Sequence, residues 1–163
     1  MVPRAEVGQP LAVEIVDHPP LRLHALRHPG PLGTITDTYR QLRRWRETYG
    51  VVAACPAVGL CYDDLEDEKG LRYYAGALLP DGVPASNGVE ILEVPGGRYA
   101  CYRLVGPFGM IDPTFRLLYG TWLSNSGFEP DDRPAIELYR TAPTMASCRV
   151  PVIDLMIPIR AAA

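Results

Sequence analysis

The chain has 163 residues, 47% of them hydrophobic and 21% charged, the composition of an ordinary soluble single domain with one sizeable core. A formal net charge of −3 gives no electrostatic reason to expect nucleic acid, and neither a signal-peptide run nor the roughly 18 uninterrupted apolar residues of a membrane helix is present, so the expected compartment is the cytoplasm. Cys55, Cys61, Cys101 and Cys148 form no C-x-x-C pair and read as reduced thiols, and the residue pattern calls for no metal and no cofactor.

From Val13 to about residue 30 the chain reads as an extended ribbon broken at Pro19-Pro20, which suits a hairpin or a bent strand. Ile35, Tyr39, Leu42, Trp45 and Tyr49 then fall on one stripe at helical spacing, with Gly50 as the stop. Two strands are expected next, Pro56 to Tyr62 and Leu71 to Leu79, followed by the turn-rich "PDGVPASNG" from Pro80 to Gly88.

After that linker the plan repeats. Residues 13–42, "VEIVDHPPLRLHALRHPGPLGTITDTYRQL", match residues 89–118, "VEILEVPGGRYACYRLVGPFGMIDPTFRLL", at 13 of 30 positions with a constant offset of 76 and no gap. One extra residue in the second copy aligns Trp45 with Trp122, and another aligns "PAVGL" (56–60) with "PAIEL" (134–138). The second helix carries Ile111, Phe115, Leu118 and Trp122, with Asp112 before Pro113 as its start signal and Gly127 as its stop. Strands Pro134 to Arg140 and Val150 to Ile159 close the second copy. The expected fold is α+β: repeat one over about 11–80, a linker at 81–88 and repeat two over about 89–160, as two β-α-β-β units about a pseudo-twofold. Their strands make an antiparallel sheet with both helices on one face and a groove between the repeats.

The repeat singles out one residue. Glu137 lies mid-strand in "RPAIELYR", and its counterpart in copy one is Gly59. With Val58, Leu60, Ile136 and Leu138 taken as the helix-facing row, the opposite face carries Ala57, Gly59 and Cys61 from one copy and Ala135, Glu137 and Tyr139 from the other. Strand interiors disfavour Glu, and a buried charge is costly unless paired. Two readings stay open on pattern alone: a site, or an ordinary outward-facing carboxylate.

"RHPGP" and "LVGPFG" before the helices, "VPGGRYACYRLVGPF", "WLSNSGFEPDDRPAIELYR" and the terminal "IDLMIPI" together resemble the GyrI-like small-molecule-binding domains, also found as effector-binding domains of AraC-type and MerR-type multidrug regulators. The resemblance spans about Val13 to Ile159. It implies a groove for bulky, aromatic, often cationic compounds, with Glu137 meeting the positive charge and Trp122 and Tyr139 as walls. Gly59 leaves room beside Glu137, and Tyr74 is placed on the open face. With about a dozen residues ahead of the first repeat, the chain reads as a standalone member. Some standalone members hydrolyse strained electrophilic natural products, in which case Glu137 would be catalytic; the founding member inhibits DNA gyrase, which makes gyrase a candidate partner.

Other features carry less. His24 and His28 on an extended segment stand about 13 Å apart, too far to share a metal. "SNSG" lacks the nucleophile elbow of a serine hydrolase. "DDLEDE", Asp63 to Glu68, lacks the alternation and glycine of a calcium loop. Arg40, Arg43, Arg44 and Arg46 give the first helix a basic face, read as solvated, with a protein contact as the alternative.

Overall fold

The computed structural model describes residues 11–50, 56–62, 72–140 and 150–162. The acidic Asp63–Glu68 stretch, Cys55 and Cys148 lie outside them. The first copy supplies β1 (Glu14–His18), β2 (Leu21–Arg27), helix α1 (Ile35–Thr48), β3 (Ala57–Cys61) and β4 (Tyr73–Ala77). The second supplies β5 (Val89–Val94), β6 (Gly97–Val105), helix α2 (Ile111–Leu117), β7 (Phe128–Pro130), β8 (Ala135–Tyr139) and β9 (Val152–Ala161). Among the described residues no helix is long and apolar enough to cross a membrane.

Eight strands are hydrogen-bonded in the order β1-β6-β9-β8-β3-β4-β2-β5, all antiparallel, and β7 pairs with the end of β9. The register obeys the repeat. Glu14 pairs with Cys101 in β1·β6 and Ala25 with Glu90 in β2·β5, and a shift of 76 interchanges the two pairs. His24–Ala77 in β2·β4 corresponds to Ala100–Ile157 in β6·β9, the insertions having lengthened the shift from 76 at the first residue to 80 at the second. At the centre Gly59 pairs directly with Glu137, flanked by Ala57–Tyr139 and Cys61–Ala135. Those two residues are repeat equivalents, so the pseudo-twofold passes between them.

The opening ribbon of each copy is a bent strand and not a hairpin. β1 pairs with β6 and β5 with β2, so each copy lends its first strand to the other. Tight hairpins need positive φ at the turn, which Pro19-Pro20 cannot adopt. The connection has a further consequence. Only residues 19 and 20 join β1 to β2, yet these strands lie near opposite ends of the hydrogen-bonded order. The sheet therefore curls until its two ends approach each other, although it stays open.

This curl corrects the face assignment. Val58, Leu60, Ile136 and Leu138 do not lie under the helices; with Leu23, Tyr99 and Met156 they fill the inside of the curl. Val58, Leu60 and Ile136 are 0% exposed although no helix among the described residues packs there. The helices lie outside, where α1 (Tyr39, Leu42, Trp45) and α2 (Phe115, and Leu118 just beyond it) meet Cys61, Tyr73, Ala75, Ala135, Tyr139 and Leu155. Bulky helix side chains need small partners beneath them, and the Ala57-Gly59-Cys61 row provides these. Glu137 belongs to this outer, helix-covered face.

Two local details follow from the alignment. The single-residue insertion before Trp122 is absorbed by a π-helical turn, Leu118–Trp122, in which the Leu123 N–H donates to the Leu118 carbonyl. Asp112 is not the cap of α2. Pro107 opens a 3₁₀ turn, Phe108–Met110, whose Met110 N–H donates to the Pro107 carbonyl at 2.9 Å, so the helix is entered two residues earlier, with Met110 at the cap and Ile111 as its first residue.

At the axis, Gly59 permits a close approach. A Cβ there would stand 2.1 Å from the Tyr73 Oη and 2.9 Å from the Tyr39 Oη. Gly59→Ala is expected to push both phenols out of place and lower stability by about 1–3 kcal/mol in urea unfolding. Gly33→Ala, where an added Cβ meets nothing within 4 Å, should change it by less than about 0.5 kcal/mol. Equal effects of the two substitutions would contradict this packing.

Candidate functional site

Between the two helices and the outer face of the sheet lies a cavity of about 380 Å³. Its walls are repeat-related pairs: Ile35 with Ile111, Thr36 with Asp112, and Tyr39 with Phe115, with Gly33 and Gly109 at the matching loop positions. Glu137, Tyr73 and Tyr139 form the sheet side, and Phe108 completes the lining. The cavity thus sits on the pseudo-twofold. The loop leading into α1 is held by His28, buried at 8% exposure, which donates from Nε2 to the Pro31 carbonyl at 2.8 Å and accepts at Nδ1 from the Thr38 hydroxyl at 2.6 Å.

The frame is symmetric, but the chemistry is not. Tyr39 faces Phe115, Tyr73 has Ile153 as its equivalent, Tyr139 has Cys61, and Glu137 has Gly59. Copy one and the Glu137 strand therefore bring three phenols together, whereas Phe108, Ile111 and Phe115 make a hydrocarbon wall. Tyr39 and Tyr139 meet edge to face, with ring centroids 5.5 Å apart, and Phe108 lies 6.0 Å from Tyr139.

Glu137 is 6% exposed. Its Oε1 accepts hydrogen bonds from Tyr73 Oη at 2.9 Å and Tyr139 Oη at 2.5 Å, and Tyr39 Oη lies 2.7 Å from Tyr73 Oη. Burial raises the Glu137 pKa above the ordinary carboxyl value, against the opposing pull of the Tyr139 and Tyr73 hydrogen bonds. Burial, and after it the Glu137 charge, hold Tyr39 and Tyr73 well above the ordinary phenol value, and the same two causes act on Tyr139. None of the described lining residues is basic. The second carboxylate of the lining, Asp112, is compensated by Arg116 at 3.3 Å; Glu137 has no such partner among the described residues.

Of the residues singled out in the sequence, Glu137 and Tyr139 line the cavity, and Gly59 lies against the phenols that do. Tyr74 points to the inside of the curl, edge to face with Tyr62 at 5.7 Å; its neighbour Tyr73 is the one in the cavity. Trp122 is not part of the lining and stacks on Phe128 at 6.4 Å. Tyr39, Phe115 and Asp112 read in the sequence as core and cap positions. The signal that finds them is the repeat itself, because a groove on a twofold takes matching helix positions from both copies. The arginine face of α1 contributes nothing to the described lining: Arg40 pairs with Asp37 at 3.2 Å and Arg43 with Glu47 at 3.5 Å, as on a solvated helix surface.

The raised pKa makes a prediction with a definite sign. An acid whose folded pKa lies above its unfolded value, about 4.3 for Glu, contributes most to stability when protonated at low pH. That contribution is lost as pH rises through the folded value, at about 1.4 kcal/mol for each unit of displacement. Glu137→Gln keeps an acceptor for both tyrosines and removes the titration. The variant should be more stable than the parent at pH 8, with the gain disappearing toward pH 4.5, in thermal melts across that range. A difference independent of pH would contradict the assignment.

Solved structures with the same fold include EcmrR in complex with DNA (TM-score 0.74, 11% identity), where the match covers 92% of this chain and 57% of that one, so the chain spans just over half the length of EcmrR. The EcmrR C-terminal domain alone matches with a TM-score of 0.70 at 12% identity, over 92% of this chain and 98% of that one. SAV2435 bound to tetraphenylphosphonium matches at 0.64 and 13% identity, covering 92% and 94%. A hydrolase encoded by lin2189 from Listeria innocua matches at 0.59 and 14% identity, covering 91% of each chain. The family model described as a GyrI-like small molecule binding domain matches residues 11–160, nearly the whole chain, and the protein belongs to that family.

Proposed function

We propose that the protein binds bulky aromatic cations in the cavity between its repeats, with Glu137 as the charge partner. The observation that carries this reading is a 6%-exposed carboxylate that lines an aromatic cavity and, among the described residues, is bonded there only by phenols. A buried anion without a cation is an expensive arrangement, and an incoming cation supplies the missing countercharge. The aromatic walls add stacking and cation–π attraction, each contact worth about 0.5–2 kcal/mol. Membership of a small-molecule-binding family and the tetraphenylphosphonium complex of SAV2435, an aromatic cation on the same fold, support the same reading.

A second reading rests on the 2.5 Å contact between Glu137 and Tyr139. A carboxyl of raised pKa beside a phenol suits general acid–base addition of water to a strained electrophile, and hydrolases from Listeria innocua share the fold. Binding ranks first because it asks only for the groups already assembled, whereas hydrolysis also needs a water held in line.

Fluorescence titration of a rhodamine cation and a neutral aromatic of equal size separates these readings from a bystander carboxylate. Glu137→Gln should weaken the cation by about 1.5–3 kcal/mol and leave the neutral compound, one without a hydrogen-bond acceptor, nearly unchanged. Loss of turnover of an electrophile with product binding retained would favour the hydrolase. Equal losses for both ligands, or none, would remove Glu137 from the binding role.

A further inference from the structure

The hydrogen-bond directions at Glu137 say which kind of cation the cavity takes. A phenol has one proton to donate. With the carboxylate ionised, Tyr73 and Tyr139 both direct theirs to Glu137 Oε1. Because the proton of Tyr73 is committed, the 2.7 Å contact between Tyr39 and Tyr73 must be donated by Tyr39. The three protons therefore run Tyr39 to Tyr73 to Glu137, and Tyr139 to Glu137. None is left for a molecule in the cavity. Neither tyrosine takes Oε2, which keeps its lone pairs, as do the oxygens of Tyr39 and Tyr139. Of the other polar side chains in the lining, Asp112 is an acceptor and only the Thr36 hydroxyl can donate. The polar side of the cavity is an acceptor surface next to a hydrocarbon one.

On the reading that the cavity binds aromatic cations, we propose that its ligands are protic cations, flat aromatic amines or amidines whose charged end carries N–H groups. Glu137 Oε2 receives an N–H of the ligand, and quaternary cations of the same charge are disfavoured. Coulomb attraction alone does not distinguish the two classes. A charge-assisted hydrogen bond does, because an aprotic cation removes water from Oε2 and leaves its lone pairs without a donor. The same bond directions state what Glu137→Gln does. The two phenols hold the amide oxygen in the Oε1 position, so its NH₂ group faces the cavity and the acceptor becomes a donor.

The test compares proflavine, a planar acridinium with N–H donors, with its aprotic relative 3,6-bis(dimethylamino)-10-methylacridinium, and with neutral acridone, which offers a carbonyl acceptor, at pH 8. The parent protein should bind proflavine at least about ten-fold more tightly than the aprotic cation, the scale of one charged hydrogen bond, although the methylated dye is the more apolar. In Glu137→Gln that ratio should fall to within about three-fold, and acridone should gain affinity through the new donor. A preference that survives in Glu137→Gln would be one of size alone and would overturn the inference. So would equal binding of the two cations by the parent with equal losses in the variant, an outcome that leaves the cation-binding reading intact. If neither cation binds the parent protein, that reading fails and the inference falls with it.

Discussion

A carboxylate has been placed at 6% exposure beneath the helices, largely withdrawn from bulk water, and much of the local structure follows from that. Glu137 sits on the outer face of a central strand, beneath a helix layer, with no basic side chain among the described lining residues. An isolated buried anion costs far more than a domain of this size can tolerate. Two phenols donating to one oxygen, and a third donating to the first of these, reduce that cost without neutralising the charge. The arrangement needs Gly59, because any side chain at the position facing Glu137 would occupy the space of Tyr73 and Tyr39.

The duplication supplies the frame for this asymmetry. Register, strand exchange and helix placement all follow the pseudo-twofold, so a gap between the two helices necessarily opens on the axis. Filling that gap with identical residues from both copies would give a symmetric cleft. Instead one side carries phenols and a carboxylate while the other carries Phe108, Ile111 and Phe115. The curl of the sheet lets the cleft persist. Leu23, Val58, Leu60, Tyr99, Ile136 and Met156 make an apolar core inside it that does not depend on how tightly the helices close over the outer face.

The repeat, both helices and the four closing strands were legible in the sequence because each rests on a local pattern or on self-similarity. So was the importance of the Gly59/Glu137 position, since a departure from symmetry stands out against matched copies. The face was not. Alternation along "PAIELYR" separates two sides of a strand, but it does not say which side receives helices, and the bulkier row, expected beneath them, fills the curl of the sheet. That curl depends on the exchange of first strands between copies, a non-local pairing with no sequence signature. Tyr74 and Trp122 were misplaced for related reasons. Adjacent strand residues point to opposite sides, and the π turn after Leu118 precedes a stack of Trp122 on Phe128 at the edge of the core. Tyr39 and Phe115 looked like core because a cavity wall and a core present the same helical stripe.

The central claim is that Glu137 is a raised-pKa carboxyl whose charge a bound cation stabilises, and proton linkage tests it most directly. A cation that lowers the pKa of Glu137 must displace a proton wherever the unliganded group is partly protonated. Titration calorimetry of an aromatic cation in two buffers of different ionisation enthalpy, repeated from pH 8 down to pH 4.5, measures that release. The account predicts a release that grows as the pH falls into the range where Glu137 takes up its proton, and none at any pH in Glu137→Gln. Binding without proton release throughout, or the same release in the variant, would contradict it.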